Sequence, residues 1–425
     1  MRSAALAPLF CAVAAALVPP TTVVLGGGFA GLYTALNLAS DGSKVQLVDS
    51  KPQFEFLPLL YEYASGIAEE AEVSATFEDL TRGTSVEFIQ GDVAAIDTAT
   101  RTATLKCGRA LCGDALVIAL GRESALDVVP GALDFALPFY RLADAIAVKA
   151  KLATLDKATS SIRIVGAGYT GVELACHLTA FCDDVSLVER SGVLPAATDS
   201  NRAAGLAALE QRGIGVRLGT SVVQVAPSSG EAKAGKTALS VAAADGLIEC
   251  LDVDMVIWTA GARVAPAVRA MPASCKVGRN PNGPLRVDAA LRLSGAKNVF
   301  ALGDAASVAG VSSAPSAQMA LQQAVVAARN VRASLAAQTR APALRAYSYV
   351  ELGEMLTFGQ EDGSMSLLPA LLPALQVGGP VAQLARRLVY AVRMPTRAQR
   401  VTALAALAPQ VPDLAAAATG LRASE

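Results

Sequence analysis

The sequence predicts an α/β fold with two Rossmann-like dinucleotide-binding domains, and three observations support this. A glycine-rich turn of the form G-x-G-x-x-G occurs twice, starting at Gly26 and at Gly166. Each turn follows a short apolar strand, opens a helix, and is followed by an acid 23 residues after its first glycine. Two later strands, "DALVIALG" and "DVDMVIWTAG", resemble each other and each closes the sheet begun at its own turn. This arrangement is typical of dinucleotide-binding domains.

An apolar segment precedes the first turn. Residues 4–18 are apolar, only Arg2 carries a charge before them, and no acid occurs before Asp41. A membrane span needs about 20 apolar residues, so we interpret residues 1–20 as a targeting segment. A disordered Ala-rich tail is the alternative.

The first turn reads "GGGFAG" from Gly26 to Gly31, between an apolar strand and a helix that continues to about Ala39. The next strand, "KVQLVD", ends at Asp49. In such a turn the first glycine allows the tight bend, the second lets the backbone approach a pyrophosphate, and the third lets helix pack on strand. The helix N-terminus then faces the phosphate charge.

The second turn has the same parts. Its strand is "IRIVG", its glycines are Gly166, Gly168 and Gly171, and the strand "DVSLVE" ends at Glu189. Glu173 follows the last glycine, and we expect it in the first turn of the helix, where an acid stabilises the helix dipole by about 0.3–1 kcal/mol.

A further apolar strand in "NVFALGDAA" ends at Gly303-Asp304, which predicts a return to the first domain after the second is complete. The predicted organisation is a leader at 1–20, the first domain at 21–155 and 281–360, an inserted second domain at 156–280, and a C-terminal region at 361–425.

Composition limits the chemistry. Formal net charge is −1 and charged residues make up 17% of the chain, so no clustered basic surface for nucleic acid is expected. A single histidine, His177, argues against His-rich metal sites. The seven cysteines contain no CxxC pair, and Cys107 and Cys112 read as free thiols flanking a hairpin.

The C-terminal region contains an amphipathic pattern. Apolar residues recur with helical period at 381, 384, 385, 388, 389 and 392, and the interval 381–400 holds five arginines and no acid. The arginines are Arg386, Arg387, Arg393, Arg397 and Arg400. A basic amphipathic helix predicts docking on an anionic membrane. Packing on the core, or a dimer interface, is the alternative.

Two further segments carry a family resemblance. "FEFLPLLYEYASG" (54–66) and the A-Q-x-A-x-Q pattern in "SAQMALQQA" (316–324) resemble type II NAD(P)H:quinone oxidoreductases. "ALDVVPGALDFALPFYRLADAI" and "LGEMLTFG" are similar to the cyanobacterial and plastid branch of that family. The resemblance extends from about residue 22 to about residue 400.

The resemblance implies cofactors and site residues. FAD is implied at the first turn and NADH, or NADPH, at the second. The FAD residues would be Gly26, Gly27, Gly28, Phe29, Ala30, Gly31, Asp49, Ser50, Lys51, Val93, Gly121 and Asp304. The nicotinamide-nucleotide residues would be Gly166, Gly168, Gly171, Glu189 and Gly261. A carboxylate at Glu189 repels a 2′-phosphate and favours NADH, although Arg190 lies next to it.

The family also implies catalytic residues. It places Glu173 beside the nicotinamide and flavin, and it places a quinone near Ala317, Gln318 and Gln322. Ala317 and Gln318 are also implied as cofactor-binding residues. Gln318 and Gln322 are four residues apart and share one helical face, whereas Gln323 points elsewhere.

The implied activity is peripheral, non-proton-pumping transfer of electrons from NADH to a membrane quinone. Plastoquinone or a phylloquinone-type quinone is implied, in a plastid membrane, with the mitochondrial inner membrane as the alternative; a homodimer is left open. The alternatives are a soluble FAD-dependent NADH:acceptor oxidoreductase of the rubredoxin reductase or apoptosis-inducing-factor type, and a non-enzymatic flavin redox sensor.

Overall fold

The computed structural model describes residues 19–229, 235–311, 315–336, 343–367 and 376–407. The predicted leader, apart from its last two residues, lies outside these ranges. Within them, no helix has the length and apolar character needed to cross a membrane.

The described strands are β1 Thr21–Leu25, β2 Lys44–Asp49, β3 Gln53–Glu55, β4 Ser74–Thr76, β5 Val86–Gln90, β6 Val93–Asp97, β7 Thr102–Leu105, β8 Ala110–Cys112, β9 Ala115–Ile118, β10 Arg122–Ser124, β11 Leu137–Pro138, β12 Ser161–Val165, β13 Asp184–Val188, β14 Gly215–Arg217, β15 Ser221–Pro227, β16 Thr237–Ala242, β17 Ile248–Val253, β18 Met255–Trp258, β19 Ala262–Val264, β20 Leu285–Val287, β21 Val299–Ala301, β22 Ala306–Val308, β23 Gly353–Thr357, β24 Gly363–Leu367 and β25 Gln376–Gly378. The described helices are α1 Phe29–Ala39, α2 Leu60–Ala64, α3 Glu70–Val73, α4 Phe77–Thr81, α5 Ala132–Phe135, α6 Leu142–Leu152, α7 Tyr169–Leu178, α8 Asp199–Gln211, α9 Pro266–Arg269, α10 Ala317–Ala336, α11 Gly379–Arg393 and α12 Arg397–Leu407.

The chain forms two compact units. Unit 1 comprises the described parts of Met1–Phe54, Thr76–Glu123 and Arg263–Tyr349. Unit 2 comprises the described parts of Glu55–Ala75, Ser124–Ala262 and Val350–Glu425.

Unit 1 is built on a parallel sheet with the strand order β21-β9-β1-β2-β5. The central strand β1 pairs with β2 on one side and β9 on the other, and its last four residues are buried. Strand β21, far along the chain, joins the sheet beside β9. Helix α1 packs against β2 and against the long helix α10. The antiparallel strands β7 and β8 form the predicted hairpin, and both of its cysteines are exposed free thiols.

Unit 2 contains a second parallel sheet with the order β11-β18-β12-β13-β14. Strand β12 is central and is paired with β13 and β18, as β1 is paired with β2 and β9. Valines on β12, β13 and β18 form a buried core with Trp258 and with the antiparallel sheet β15-β16-β17. Two parallel sheets with helices between their strands confirm the predicted α/β class.

The C-terminal part of unit 2 is an antiparallel sheet, β23-β24-β25, on which α11 packs. The orientation of α11 differs from the expected exposed basic face, because Arg386 and Arg387 are buried, with relative exposures of 0% and 6%. The opposite face exposes Val381, Leu388 and Val392. This helix therefore turns arginines inward and apolar side chains outward.

Candidate active site

The first glycine turn leaves a bare helix N-terminus in unit 1. Gly28 is the N-cap of α1, and no side chain caps the helix. A Cβ on Gly28 would meet nothing within 4 Å, so the space beyond the turn is open. A Cβ on Gly31 would lie 1.8 Å from the carbonyl oxygen of Gly26, so only glycine lets helix and turn approach this closely. The uncapped N–H groups and the helix dipole make this position suitable for a phosphate.

The second turn repeats this geometry in unit 2. Gly168 is the N-cap of α7, again without a side-chain cap and with open space around it. A Cβ on Gly171 would lie 2.0 Å from the carbonyl oxygen of Gly166. The two turns are thus equivalent sites, one in each unit, and both fit a dinucleotide pyrophosphate.

The acid that follows each turn holds the turn in place. Asp49 accepts hydrogen bonds from the backbone N–H groups of Gly27 (2.7 Å) and Lys51 (2.9 Å). Glu189 accepts from the N–H of Ala167 (2.9 Å) and from the N–H of Ser191 (2.7 Å). Ser191 Oγ also donates to Glu189 at 2.8 Å. A carboxylate has about four acceptor positions, so Asp49 keeps capacity for ribose hydroxyls and Glu189 for one more hydrogen bond.

Glu189 is held in its charged form. Burial acts to raise its pKa, but hydrogen bonds from Ala167 and Ser191 outweigh burial and leave the pKa below its ordinary value. A charged carboxylate at this position disfavours a nearby phosphate.

Glu173 lies one turn deeper in α7 than the sequence suggested. The helix begins at Tyr169, and its first turn contains no acid. Expecting Glu173 in the first turn was therefore wrong, since the helix starts before Gly171. Its side chain is buried, with 6% exposure, so the dipole argument for a solvated acid does not apply to it.

The Glu173 carboxylate has two hydrogen-bond donors in unit 2. Tyr61 Oη donates to Oε1 at 3.2 Å, and the backbone N–H of Thr357 donates to the same oxygen at 3.1 Å. Burial raises the pKa of Glu173 to about 8, although these two hydrogen bonds act in the opposite direction. A carboxyl group with such a pKa can give and take a proton near neutral pH.

A buried ion cluster supports the Tyr61 hydroxyl. Arg386 Nη1 donates to Tyr61 Oη at 3.1 Å, and the same guanidinium pairs with Glu62. Arg387 contacts Glu62 at 3.3 Å and Glu72 at 3.7 Å. The four charged side chains have 6% exposure or less, so two arginines balance two carboxylates inside the protein. None of these residues was singled out from the sequence for this position.

Another carboxylate outside the sequence-based prediction is Glu354 on β23. Its side chain accepts hydrogen bonds from Tyr169 Oη, Thr198 Oγ1 (2.7 Å) and Asn201 Nδ2 (2.7 Å). Tyr169 is the first residue of α7, so the C-terminal sheet is bonded to the helix that follows the second turn. In the sequence, only the position of Glu354 in "LGEMLTFG", a segment similar to the cyanobacterial and plastid branch, pointed to this residue.

In unit 1, Asp304 lies in the "GD" turn that follows β21. Arg122 Nε donates to its backbone carbonyl at 3.1 Å, and burial raises the pKa of its carboxyl. Gln323 is fully buried and accepts from the N–H of Gly303 at 2.7 Å. Gln323 is therefore the glutamine that α10 buries beside the turn.

Gln318 and Gln322 lie on α10 and are only half-buried. Tyr349 Oη donates to Gln318 Oε1 at 3.5 Å. The face of α10 toward the turn carries Gln323, so Gln318 and Gln322 lie on a different face of the helix. Their positions four residues apart still place them on one face of the helix.

The other predicted cofactor residues fall into the two units as follows. Phe29, Ala30, Ser50, Lys51, Val93, Gly121 and Ala317 are in unit 1, and Gly261 is in unit 2. Gly121 and Gly261 occupy equivalent positions after β9 and β18, with φ of 63° and 67°. No described group of histidine, cysteine or acidic side chains is arranged to hold a metal ion.

A family model for pyridine nucleotide-disulphide oxidoreductases matches residues 20–329. The chain belongs to this family. It is 33% identical to the alternative NAD(P)H-ubiquinone oxidoreductase C1, chloroplastic/mitochondrial, of Arabidopsis thaliana, over 90% of this chain and 79% of the relative. It is 35% identical to the demethylphylloquinone reductase NdbB of Synechocystis, over 90% of this chain and 94% of the relative. These matches confirm the resemblance to type II NAD(P)H:quinone oxidoreductases and their cyanobacterial and plastid members.

Solved structures agree in fold. NDH2 from Plasmodium falciparum in complex with NADH has a TM-score of 0.78 at 16% identity, covering 92% of this chain and 97% of that one. The sulfide:quinone oxidoreductase of Aquifex aeolicus has a TM-score of 0.72 at 17% identity, covering 87% and 90%. At these identities the likeness concerns the fold alone.

Proposed function

We infer that the protein is a non-proton-pumping NAD(P)H:quinone oxidoreductase of type II. The observation that carries this conclusion is the pair of equivalent bare helix N-termini, each backed by an acid, in a chain that aligns over 90% of its length with two quinone-reducing relatives. Two dinucleotide sites suit an enzyme that keeps one nucleotide as cofactor and exchanges the other as substrate.

We assign FAD to the first turn. The open space at Gly28 and the uncapped start of α1 fit a pyrophosphate, and Asp49 keeps acceptor capacity for a ribose. Lys51, Val93, Gly121 and Asp304 complete this assignment on the family pattern. When bound, FAD supplies the two-electron redox chemistry that connects a nicotinamide to a quinone.

We assign the nicotinamide nucleotide to the second turn, with NADH preferred over NADPH. The preference follows from Glu189, whose hydrogen bonds stabilise its charged form. Glu173 is assigned the proton-transfer role, since its carboxyl group is buried, bonded to Tyr61 and able to change protonation near neutral pH.

We assign the quinone to the helix face that carries Gln318 and Gln322. Both amides have donor groups that can pair with a quinone carbonyl. The half-burial of both side chains leaves them accessible to a ligand. Plastoquinone or a phylloquinone-type quinone is the proposed class, and the two relatives are named for ubiquinone and demethylphylloquinone.

We propose that α11 places the protein on a membrane as a peripheral protein. Its outward face carries Val381 (43% exposed), Leu388 (40%) and Val392 (66%), and α12 adds Val401 (66%) and Leu404 (42%). An exposed apolar stripe on a helix suits insertion at the headgroup boundary. Arg386 and Arg387 are paired internally, so apolar burial by this face and the exposed Arg397 and Arg400 on α12, rather than those two arginines, would supply the binding. An organelle membrane is proposed, plastid first and mitochondrial inner membrane second.

The test is an absorbance spectrum of the purified protein, titrated with NADH and then with a short-chain quinone. We expect a flavin band that NADH bleaches and the quinone restores, and steady NADH consumption only when quinone is present. Restoration by a soluble dye but not by quinone would indicate the soluble oxidoreductase. Bleaching without turnover would indicate a redox sensor, and the absence of a flavin band would refute the assignment altogether.

A further inference from the structure

The carboxylate of Glu354 joins the starts of two helices in unit 2. Its Oε1 accepts a hydrogen bond from the hydroxyl of Tyr169, the first residue of α7. Its Oε2 accepts from the N–H of Thr198 at 3.0 Å, from the Thr198 hydroxyl at 2.7 Å and from Asn201 Nδ2 at 2.7 Å. Thr198 is the N-cap of α8, where the helix dipole favours a negative charge. One side chain on β23 therefore holds both helices at their N-terminal ends.

Both helix starts are connected to the second glycine turn. Tyr169 directly follows the uncapped N-cap glycine of α7. Thr198 lies at the end of the loop that follows Glu189. This loop is bonded to the turn at Ala167, whose N–H donates to Glu189 at 2.9 Å and whose carbonyl accepts from the N–H of Leu194 at 2.8 Å. The carboxylate on β23 therefore closes a ring of bonded segments that includes both the turn and the loop.

The same strand contacts α7 at a second point. The backbone N–H of Thr357 donates to the Glu173 carboxylate at 3.1 Å. Tyr169 and Glu173 are four residues apart and so share one face of α7. Strand β23 is therefore bonded to this face at the start of the helix and again one turn further on. Two such contacts restrain the direction in which the N-terminus of α7 points.

The first turn has a different side chain at the equivalent position. Phe29 follows the N-cap of α1 as Tyr169 follows the N-cap of α7, and a phenyl ring has no hydroxyl. The proposed function gives the two turns different tasks, since unit 1 keeps its dinucleotide and unit 2 exchanges its own. A restraint that keeps an empty site in its binding geometry lowers the ordering cost of each binding event. This benefit is greatest for a nucleotide that binds and leaves in every turnover.

We propose that Glu354 is a positioning residue for the nicotinamide nucleotide. By holding Tyr169 and Thr198, it keeps the N–H groups at the start of α7 aimed at the pyrophosphate. This inference rests on the proposed assignment of that nucleotide to the second turn. Because the same contacts belong to the C-terminal sheet, nucleotide binding should also stabilise β23, since the coupling between two linked equilibria is reciprocal.

The first experiment measures binding of ADP-ribose to the full-length, FAD-containing protein by isothermal titration calorimetry. ADP-ribose carries the pyrophosphate and both riboses, and it cannot reduce a flavin. Tyr169→Phe removes only the hydroxyl that Glu354 holds, and it should raise the Kd about threefold to tenfold. Tyr63→Phe removes a hydroxyl elsewhere in unit 2. This matched control should leave the Kd unchanged.

A double-mutant cycle separates positioning from direct contact with the ligand. Glu354→Met replaces the carboxylate by a weak acceptor of similar size, and it should raise the Kd by roughly tenfold. Tyr169→Phe should then add little in this background. An equal effect of Tyr169→Phe in both backgrounds would mean that the hydroxyl meets the ligand directly. That result, or no effect in either background, would overturn the proposal.

Turnover distinguishes positioning from a merely structural role. In Tyr169→Phe the KM for NADH should rise in step with the Kd for ADP-ribose, while kcat stays near that of the wild type. A lower kcat with an unchanged KM would assign the contact between Tyr169 and Glu354 a structural role and would overturn the proposal.

The second experiment decides the question even if Glu354→Met does not fold. Hydrogen–deuterium exchange of the β23 backbone amides would be measured with and without saturating ADP-ribose, in the wild type and in Tyr169→Phe. Binding should slow this exchange in the wild type and should slow it less in the variant. Equal slowing in both proteins, or no slowing in the wild type, would overturn the proposal.

The two levels of inference fail in different ways. A wild-type protein that contains FAD but binds neither ADP-ribose nor NADH would refute the assignment of the nucleotide to the second turn. A wild type that binds both, together with a Tyr169→Phe variant that binds them equally well, would overturn only the role of Glu354.

Discussion

Replacing Glu173 by Gln should make unit 2 more stable at alkaline pH than the wild-type protein. The carboxyl group has an ordinary pKa of 4.5 and a pKa of about 8 in the folded protein. Between these values the folded state holds a proton that the unfolded state releases. The free energy of unfolding of the wild type therefore falls as pH rises through this window, by up to about 1.4 kcal/mol per pH unit. Gln is nearly the same shape, still accepts from Tyr61 and Thr357, and does not titrate.

The expected difference accumulates with pH. Below pH 4.5 the free energies of unfolding of Glu173→Gln and wild type should change with pH in the same way. By pH 8 the free energy of unfolding of the variant should have gained about 4 to 5 kcal/mol relative to wild type. Trp258 is the sole tryptophan of the chain, is 4% exposed and lies in unit 2, so its fluorescence reports this unit during urea unfolding.

A matched control is Glu189→Gln. The folded-state pKa of Glu189 is below its ordinary value, so its contribution to stability is present above pH 4.5 and is lost as pH falls. The two variants should therefore change stability in opposite senses and in different pH windows. If the difference between Glu173→Gln and wild type does not change between pH 5 and 8, Glu173 is ionised in the folded protein and the argument from burial fails.

Three other predictions concern the substrate, quinone and membrane. Glu189→Ser should raise the NADPH/NADH ratio of kcat/KM by about tenfold, since ~1.4 kcal/mol is tenfold; an unchanged ratio would remove this residue from nucleotide selection. Gln318→Leu with Gln322→Leu should slow NADH oxidation by quinone by roughly tenfold to a hundredfold while leaving ferricyanide reduction near normal. Equal losses with both acceptors would contradict the quinone assignment. Leu388→Ser with Val392→Ser should release the protein from liposomes of neutral lipid, and retention of the variant would show that another surface binds.

The dinucleotide turns could be predicted from the sequence because their parts are local. Strand, glycines, helix and acid lie within Thr21–Asp49 in one unit and within Ser161–Glu189 in the other, and the geometry at Gly31 and Gly171 requires glycine. The surroundings of Glu173 could not be predicted in this way, since Tyr61 and Thr357 come from segments 112 and 184 residues away. No local pattern indicates that these segments meet.

Helix α11 shows a different limit of prediction from sequence. Its period correctly separates an apolar face from a charged one, but the period does not say which face is buried. Charged faces are usually exposed, and here Glu62 and Glu72 reverse that preference by neutralising Arg386 and Arg387. A local signal is likewise absent in α10, where Gln323, rather than Gln318 or Gln322, is the buried glutamine.

The buried ion cluster also bears on synthesis of the chain. Glu62 emerges from the ribosome 324 residues before its partner Arg386. At about 5–20 residues per second this is a delay of roughly 15–65 s, during which neither carboxylate of the cluster can pair with its native arginine. The acids of the α2–α3 segment, Glu62 and Glu72, therefore cannot be buried beside their arginines until translation is almost finished. Unit 2 completes folding only after α11 is released, and a chain that ends before Arg386 would expose these acids to proteases or chaperones.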